Sequence, residues 1–600
     1  MIRDNYRKYI MWISIAIMYI LCFKLVITSG YMFDDMWSSV DLGIAINNDT
    51  TLGRMVLGDI NRWVTSYGRI LIFSFYSDFV LNYLPRVLYK SFIVGAMFLN
   101  GLVLGGVIRE LTDSKKLTYL TVIMFPAVIS LRASYYTGIY AFHGLVQICF
   151  LMVLLAVYSY IRYRKTGKVR FQVISCIFWF ISLGTYEVAY VLCFCFIVAL
   201  ICIDGWDYVK NHFWKSVKTG LPQIIIEIAW IIANVVTRFL ASGDYDGATP
   251  NMSLGNIVST FFKQCSGSLG FGAAIKDFHL LSFSEWIDFI KTNVGLLEIL
   301  SYLFLFILLI VVLMYIKDEK LNNICSMTTM GILLIVMPSV LISVSVKYQK
   351  EVEWFSGYIP AYYGSWGFAI IFAILVVLVG RKKANNRIAF ISLNISAALV
   401  LTIIFAINSI VGSYSVQQED VFYQNDVNTM ADGIDAGILN DIGMDYVLDT
   451  SYSMYAYRPT CTNNAYTTWL REKNNIYGWD DIYEDKGQST ELNKLYQKMD
   501  KEGFKVLNHL AKWYVVIADC NGLELNMNDD GYNYKAYADS IDMFLYDYSP
   551  DVFTCCDING KQYKISRSDG EVINTGRYGK VYRFSFPDNI NISSIVVGDE

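Results

Sequence analysis

The stretch that decides the fold is FQVISCIFWFISLGTYEVAYVLCFCFIVALICI, residues 171–203. An apolar run this long exceeds one crossing of a bilayer, whose hydrocarbon layer needs about 20 residues of helix. Its interruption by SLGTYE at 182–187 divides it into two helices, 171–185 and 188–203, joined by a tight turn. That division sets the parity of every span that follows. By the same ruler the remaining spans fall at 10–29, 87–108, 117–131, 142–161, 221–240, 294–316, 324–346, 361–380 and 388–412, giving about eleven transmembrane helices.

Composition agrees. The chain has 600 residues, 55% of them hydrophobic and only 17% charged. Soluble chains average about 25% charged, so a single water-soluble core is excluded. The net charge of -4 is unevenly spread, with apolar sequence to about residue 412 and ordinary soluble sequence beyond. No basic stripe marks a nucleic-acid surface. Of the twelve cysteines, Cys22, Cys149, Cys176, Cys193, Cys195, Cys202 and Cys325 lie in or beside spans, where thiols behave as small hydrophobes. Cys461, Cys520, Cys555 and Cys556 lie in the tail, and no Cys or His spacing matches a zinc site.

Positively charged short loops stay in the cytoplasm. With MIRDNYRKY (1–9) inside, the inner loops are 109–116, 162–170, 204–220, 317–320 and 381–387, and each carries Lys or Arg. The outer segments are then 30–86, 132–141, 184–187, 241–293, 347–360 and everything after 412. No small-residue cleavage site follows the first span, which reads as an uncleaved anchor. The expected architecture is an all-α polytopic membrane domain over 1–412, with a first outer loop at 30–86, and an extracytoplasmic mixed α/β domain over 413–600. In that domain DVNTMADGIDAGILND and TELNKLYQKMDKEGF have helical spacing, while DYVLDT, KWYVVIAD and KVYRFSF read as strands. Within the first outer loop, LGRMVLGDINRWVTSYGRIL (52–71) reads as amphipathic helix on the membrane surface, with Arg62 and Arg69 near head groups. RILIFSFYSDFVLNYLP (69–85) reads as a helix lying at the interface or partly inserted.

The unusual polar residues gather toward the outer side. Asp34 and Asp35 leave the first span together, Glu187 occupies the turn at 184–187, and His143 opens the fourth span. SVKYQKEVEWFSGYIPAYYGSW (345–366) brings Lys347, Tyr348, Lys350, Tyr358, Tyr362 and Tyr363 to the outer ends of the ninth and tenth spans. The bland alternatives are a solvated acidic loop, snorkelling lysines and an aromatic belt. Glu187 resists that reading, because a carboxylate in an apolar hairpin is costly unless it is paired or faces water. Glu227 and Glu298 are left unassigned.

FDDMW (33–37), YGR (67–69) and GTYE (184–187), with the long first outer loop, the many spans and the outer tail, carry a resemblance. The chain is similar to the GT-C class of integral-membrane glycosyltransferases, and within it to the bacterial branch that decorates surface polysaccharides, including O-antigen glucosyltransferases. The resemblance covers roughly 1–412; the tail resembles no family. It implies a cell-membrane enzyme that takes a sugar from a polyprenyl-phosphate donor at the outer interface and passes it, with inversion, to a glycan acceptor. Asp34 or Asp35 would be the base. Arg69, Lys347, Tyr348 and Lys350 would meet the lipid phosphate, and Glu187, His143 and Tyr358 the sugar or acceptor. Adjacent aspartates also fit an oxygen-rich Mg2+ or Mn2+ site, but no third ligand is evident from spacing and none is assigned. The competing expectation is a lipid or polysaccharide transporter or flippase; such proteins tend to show repeated halves and charges at mid-depth, and this chain shows neither clearly.

Overall fold

The computed structural model describes residues 2–30, 32–33, 35, 52–74, 84, 86–134, 136–243, 247, 249–316, 321–382 and 386–435. In the tail it describes 446–449, 476–478, 504–510, 514–520, 524–528, 531–535, 538–546, 551–557, 561–575, 579–585 and 592–596. One compact unit holds the chain to Asp35 together with Leu52–Glu419; a second holds Asp420–Glu600.

The first unit is helical. In chain order its helices are α1 (Ile2–Cys22), α2 (Lys24–Thr28), α3 (Leu52–Thr65), α4 (Arg86–Thr112), α5 (Lys115–Val128) and α6 (Leu145–Thr166). There follow α7 (Val169–Leu183), α8 (Phe194–Asp204), α9 (Trp206–Asn211), α10 (Phe213–Leu240), α11 (Leu254–Gly267) and α12 (Gly270–Asp277). The last are α13 (Phe283–Asn293), α14 (Leu296–Tyr315), α15 (Ile324–Ser343), α16 (Val346–Glu351), α17 (Ala361–Lys382) and α18 (Arg387–Asp435). A 3-10 turn, Glu187–Cys193, leads into α8.

All eleven expected spans contain helix, but among the described residues eight helical segments are long and apolar enough to cross a membrane. These are Val87–Thr112, Phe142–Thr166, Glu187–Asp204, Phe213–Leu240, Leu296–Tyr315, Ile324–Ser343, Ala361–Arg381 and Arg387–Glu419. The other three fall short for visible reasons. The first opens on the charged IRDNYRK and breaks at Phe23, between α1 and α2, and α5 and α7 have 14 and 15 residues. At 1.5 Å per residue those reach only about 21–23 Å of the roughly 30 Å hydrocarbon layer. The expected break inside 171–203 is present, with α7 closing at Gly184 and the 3-10 turn opening at Glu187. The expected helix at 69–85 is not formed in its described part. Residues 68–71 lack regular structure and 72–74 form a turn, while 75–83 and 85 lie outside the described residues.

Helix ends meet their neighbours at two faces of the bundle. At one, Glu110 on α4 receives Arg162 at 3.1 Å and Lys165 at 2.9 Å from the end of α6, and Arg164 grips both oxygens of Asp204 at 2.8 Å. At the other, Lys24 pairs with Glu298 at the start of α14. Between them lies an aromatic core in which Phe125 stacks on Trp366 at 3.7 Å and Phe150 meets Tyr363 edge-on at 5.4 Å. Small residues let helices touch: a Cβ on Gly367 would stand 2.3 Å from the carbonyl of Gly331, so α15 and α17 pack backbone to backbone. Asn408 of α18 satisfies the chain where α5 ends, donating to the Ile129 carbonyl at 2.6 Å and accepting from the Leu131 N–H at 3.3 Å.

The second unit carries the sheets. Seven strands among the described residues form one of them. Tyr446–Asp449 runs parallel to Ile476–Gly478 and Phe504–Leu510, and Tyr514–Cys520 and Ala538–Tyr546 continue it antiparallel. The strands expected from DYVLDT, KWYVVIAD and KVYRFSF are all present. The helix expected at 426–441 is formed as far as Asp435, where α18 ends; of the one expected at 490–504, residues 490–503 lie outside the described residues and Phe504 opens a strand.

Gly267 abuts Gly357 so closely that a Cβ on Gly267 would lie 2.3 Å from the Gly357 Cα. Gly267→Val is therefore expected to force α11 away from the loop before α17 and to cost about 1–3 kcal/mol, typical of overpacking. Thermal unfolding in detergent would read this as a lowered Tm.

Candidate functional site

The first long helix delivers its acid into the protein rather than into solvent. Phe33 takes a left-handed φ of 53°, and the Asp35 N–H donates to the Met32 carbonyl at 3.1 Å, a tight turn that folds Asp35 back. Its side chain is fully buried and its Oδ2 accepts from the Lys90 ammonium at 2.9 Å. Lys90 stands near the start of α4, is itself fully buried, and also donates to the Tyr140 carbonyl. A cation inside an apolar bundle requires such partners, since an unpaired buried charge is strongly unfavourable.

The other Asp35 oxygen faces the turn before α6. Phe142, His143 and Gly144 have φ of 65°, 52° and 74°, three left-handed residues in succession. For the two that are not glycine this conformation costs about 1–3 kcal/mol each. The turn brings the His143 backbone N–H to 3.4 Å and its Nε2 to 3.7 Å from Asp35 Oδ1. His143 also lies beside the Tyr89 ring and keeps 15% of its side chain exposed. Asp35 thus joins an ammonium, a backbone N–H and a largely buried imidazole. Asp34 lies outside the described residues.

Arg69 and Glu187 are brought together. Arg69 donates through Nε and Nη2 to the two Glu187 oxygens, the latter at 2.6 Å, in the fork geometry that makes arginine–carboxylate pairs strong. The guanidinium lies 5.0 Å from the Trp63 ring centre, in cation–π range. Backbone contacts fix the segment that carries it. Gly68 (φ 62°) passes so close to α10 that a Cβ would stand 2.5 Å from the Arg238 Cα. The Ile70 N–H donates to Asn234 Oδ1 at 3.2 Å, and the Phe73 N–H to the Gly184 carbonyl at 3.0 Å. These bonds tie 68–73 to α10 and to the α7–α8 turn, which is why no helix forms there.

The third group stands before α17. The chain at 249–251 bridges 344–346, with Asn251 N–H to the Val344 carbonyl at 2.8 Å and Val346 N–H to the Thr249 carbonyl at 2.9 Å. From this base α16 projects Lys347, half-buried, and Lys350, exposed. Among the described residues neither makes an ion pair. Tyr348 is buried against Tyr358, ring centres 4.3 Å apart, and Tyr358 against Tyr136 at 5.1 Å. Tyr358 lines a cleft with Ser130, Thr137, Gly138, Ser356 and Tyr362, whose interior volume of about 20 Å³ is close to that of a single water site. The segment 138–140 joins the groups: Gly138 lines this cleft, and the Tyr140 carbonyl holds Lys90.

Connectivity places Asp35, Arg69, His143, Glu187, Lys347, Tyr348, Lys350 and Tyr358 at one end of the bundle, where α2, α7 and α15 finish and α4, α6 and α17 begin. Two further residues belong to this end and escape the sequence reading. Lys90 carries a visible signal, a lone ammonium near the start of an apolar helix. Arg132 carries none: its guanidinium pairs with Asp277 at 2.5 Å and donates to Ser356 Oγ at 2.8 Å. Burial raises the Asp277 carboxyl above its ordinary range despite Arg132, whereas the hydrogen bond from Lys276 holds the Glu353 carboxyl below its own. Among the described residues no group of three or more His, Cys, Asp or Glu is disposed to hold a metal ion. No protein-family model matches the chain, and no characterised protein shows significant sequence similarity to it.

Breaking the buried pair from either side should cost about 3–5 kcal/mol, as for other buried ion pairs deprived of one partner. Asp35→Asn and Lys90→Met are each expected to lower the unfolding midpoint in detergent, and the double variant to recover much of the loss. For Arg69 and Glu187, a cycle of Arg69→Ala, Glu187→Ala and both together should give a coupling of about 1–3 kcal/mol. Arg69→Lys should fail to restore it, because an ammonium does not form the fork.

Proposed function

We propose that this chain is a multi-pass membrane glycosyltransferase that moves a sugar from a polyprenyl-phosphate donor to a hydroxyl of a cell-surface glycan at the outer interface. The observation that carries the reading is the Asp35–Lys90–His143 cluster, at the end of the bundle shared by the other polar candidates. The reading takes the opposite end, with its lysine- and arginine-rich connections, as cytoplasmic, because positively charged short loops stay on that side.

Inverting transfer forms a bond from the acceptor oxygen to the anomeric carbon and breaks the bond from that carbon to the phosphate oxygen. The acceptor's proton passes to a base, and the lipid phosphate leaves with the electron pair. Asp35 has both oxygens engaged by Lys90 and His143, so in this reading it is a positioning residue. Asp34 beside it receives the proton, and His143 orients the acceptor. Arg69 is neutralised by Glu187, which leaves Lys347 and Lys350 to meet the lipid phosphate. The cleft beside Tyr358 has room for about one water and none for a sugar ring, so in this reading Tyr358 shapes the wall of the site rather than stacking on the sugar. Charges near helix ends suit chemistry on a head group better than passage through the bilayer centre, which favours this reading over a transporter.

Purified protein in lipid nanodiscs, supplied with radiolabelled polyprenyl-phosphate hexoses and glycan from its host, tests the assignment. Asp34→Asn should lower transfer by about 10²–10⁴-fold, the usual worth of a general base. Lys347→Gln with Lys350→Gln should mainly raise the KM for the donor. Unchanged surface-glycan hexose, measured by mass spectrometry in a host whose only copy carries both Asp34→Asn and Asp35→Asn, would refute the reading.

A further inference from the structure

The segment between α10 and α14, expected from the alternation of basic inner loops to be an outer loop at 241–293, contains three α-helices among its described residues, with an unusual distribution of side chains. On α13, Trp286 is buried and Phe289 half-buried, packed with Ala274, Val411 and Tyr414. Ser284, Glu285, Asp288 and Lys291 are exposed, forming a polar face. A third stripe is apolar yet exposed: Phe283, Ile287 and Ile290, spaced i, i+4, i+7, with Phe283 75% exposed. Helix α11 repeats the pattern. Thr260, Gln264 and Gly267 face the protein, Asn256 and Ser259 are exposed and polar, and Leu254, Val258 and Phe262 form an exposed apolar stripe. An ordinary surface helix has two faces, one for the core and one for water. These have a third.

Depth separates the two helices. The chain just before α11 is bonded to Val344, at the end of α15. Ser268, just after α11, lies against Gly364, and a Cβ on Gly364 would also come within 3.5 Å of the Ile335 Cα. Nine residues of helix separate Val344 from Ile335, about 13 Å at 1.5 Å each. Helix α11 therefore descends alongside a helix long and apolar enough to span, and the chain then returns, with Gly270 against the Ile129 carbonyl at the end of α5. Backbone at such depth is tolerated because one side is buried in protein. The exposed apolar side chains also continue those of the flanking spans, Phe239 and Leu240 at the end of α10 and Leu296 at the start of α14.

We infer that α11–α13 is a lipid-embedded apron: α11 re-enters the leaflet with Leu254, Val258 and Phe262 against acyl chains, and α13 lies at the interface. On α13, Phe283, Ile287 and Ile290 point into lipid while Glu285, Asp288 and Lys291 stay in water. Its occupant is the bilayer itself, and the inference does not depend on the reading of the polar site.

The test places a benzophenone amino acid singly at positions 254, 258, 283 and 287, and at control positions 256, 259, 284 and 288 on the polar faces, in the full chain reconstituted into phosphatidylethanolamine–phosphatidylglycerol vesicles. After irradiation, mass spectrometry should find lipid adducts several-fold more abundant at each apolar position than at the controls of the same helix. Because comparison is made within one helix, and only variants that elute as the parent protein are scored, misfolding does not mimic the result. Equal adduct yields on the two faces, or crosslinks from 283 and 287 to a second copy of the chain in place of lipid, would overturn the inference.

Discussion

The first unit is organised by the need to hold one ammonium inside an apolar bundle. Lys90 has no exposed surface, so its charge is met by the Asp35 carboxylate and the Tyr140 carbonyl. Those partners come from remote parts of the chain: the exit of the first helix and the turn before α6. Meeting the charge therefore fixes both connections against α4 at once. It also explains why Asp35 turns inward at Phe33, a residue whose left-handed backbone would otherwise be unfavourable.

The same requirement recurs wherever the chain departs from helix at this end. An interrupted helix leaves N–H and carbonyl groups that lipid cannot satisfy. Gly184 closes α7 and gives its carbonyl to Phe73; Asn234 receives Ile70; Asn408 covers both sides of the break after α5. The loops are thereby bonded to helices rather than left in solvent, and the Arg69–Glu187 fork adds a charged clasp across one of these joints. Among the sequence's site candidates Asp35 shares this task, accepting the His143 N–H, while Arg69 and Glu187 meet each other.

That sharing marks how far the sequence can be read. Helix positions follow from runs of apolar residues, a one-dimensional property, so each expected span holds a helix and the division of 171–203 at SLGTYE is real. Pairing is not one-dimensional. Arg69 and Glu187 lie 118 residues apart in the chain, and nothing in their neighbourhoods announces that each is the other's counter-ion. Giving one to a phosphate and the other to a sugar treats charge as availability. Segment 69–74 departs from expectation for a related reason: its apolar spacing fits a helix, but its backbone is bonded to Asn234 and Gly184 instead of to itself in helical register. The 241–293 segment departs from it because its charges hide amphipathic stripes that become clear only once the protein-facing side is known.

Whether the Asp35 cluster serves only to staple the fold can be weighed energetically. A buried ion pair is often no better than a well-packed apolar substitute, and breaking it is costly only because one charge is then stranded. The neighbouring turn adds to that burden, since Phe142 and His143 occupy a conformation costing about 1–3 kcal/mol each. A staple needs neither expense: a leucine at position 90 and a right-handed turn before α6 would close the same connections. What the strained turn does achieve is to set an imidazole, partly exposed, within 3.7 Å of a carboxylate whose other oxygen is held by an ammonium. That sets a carboxylate between an ammonium and an imidazole near a helix end, an arrangement that the proposed transfer would use and that a staple would not require.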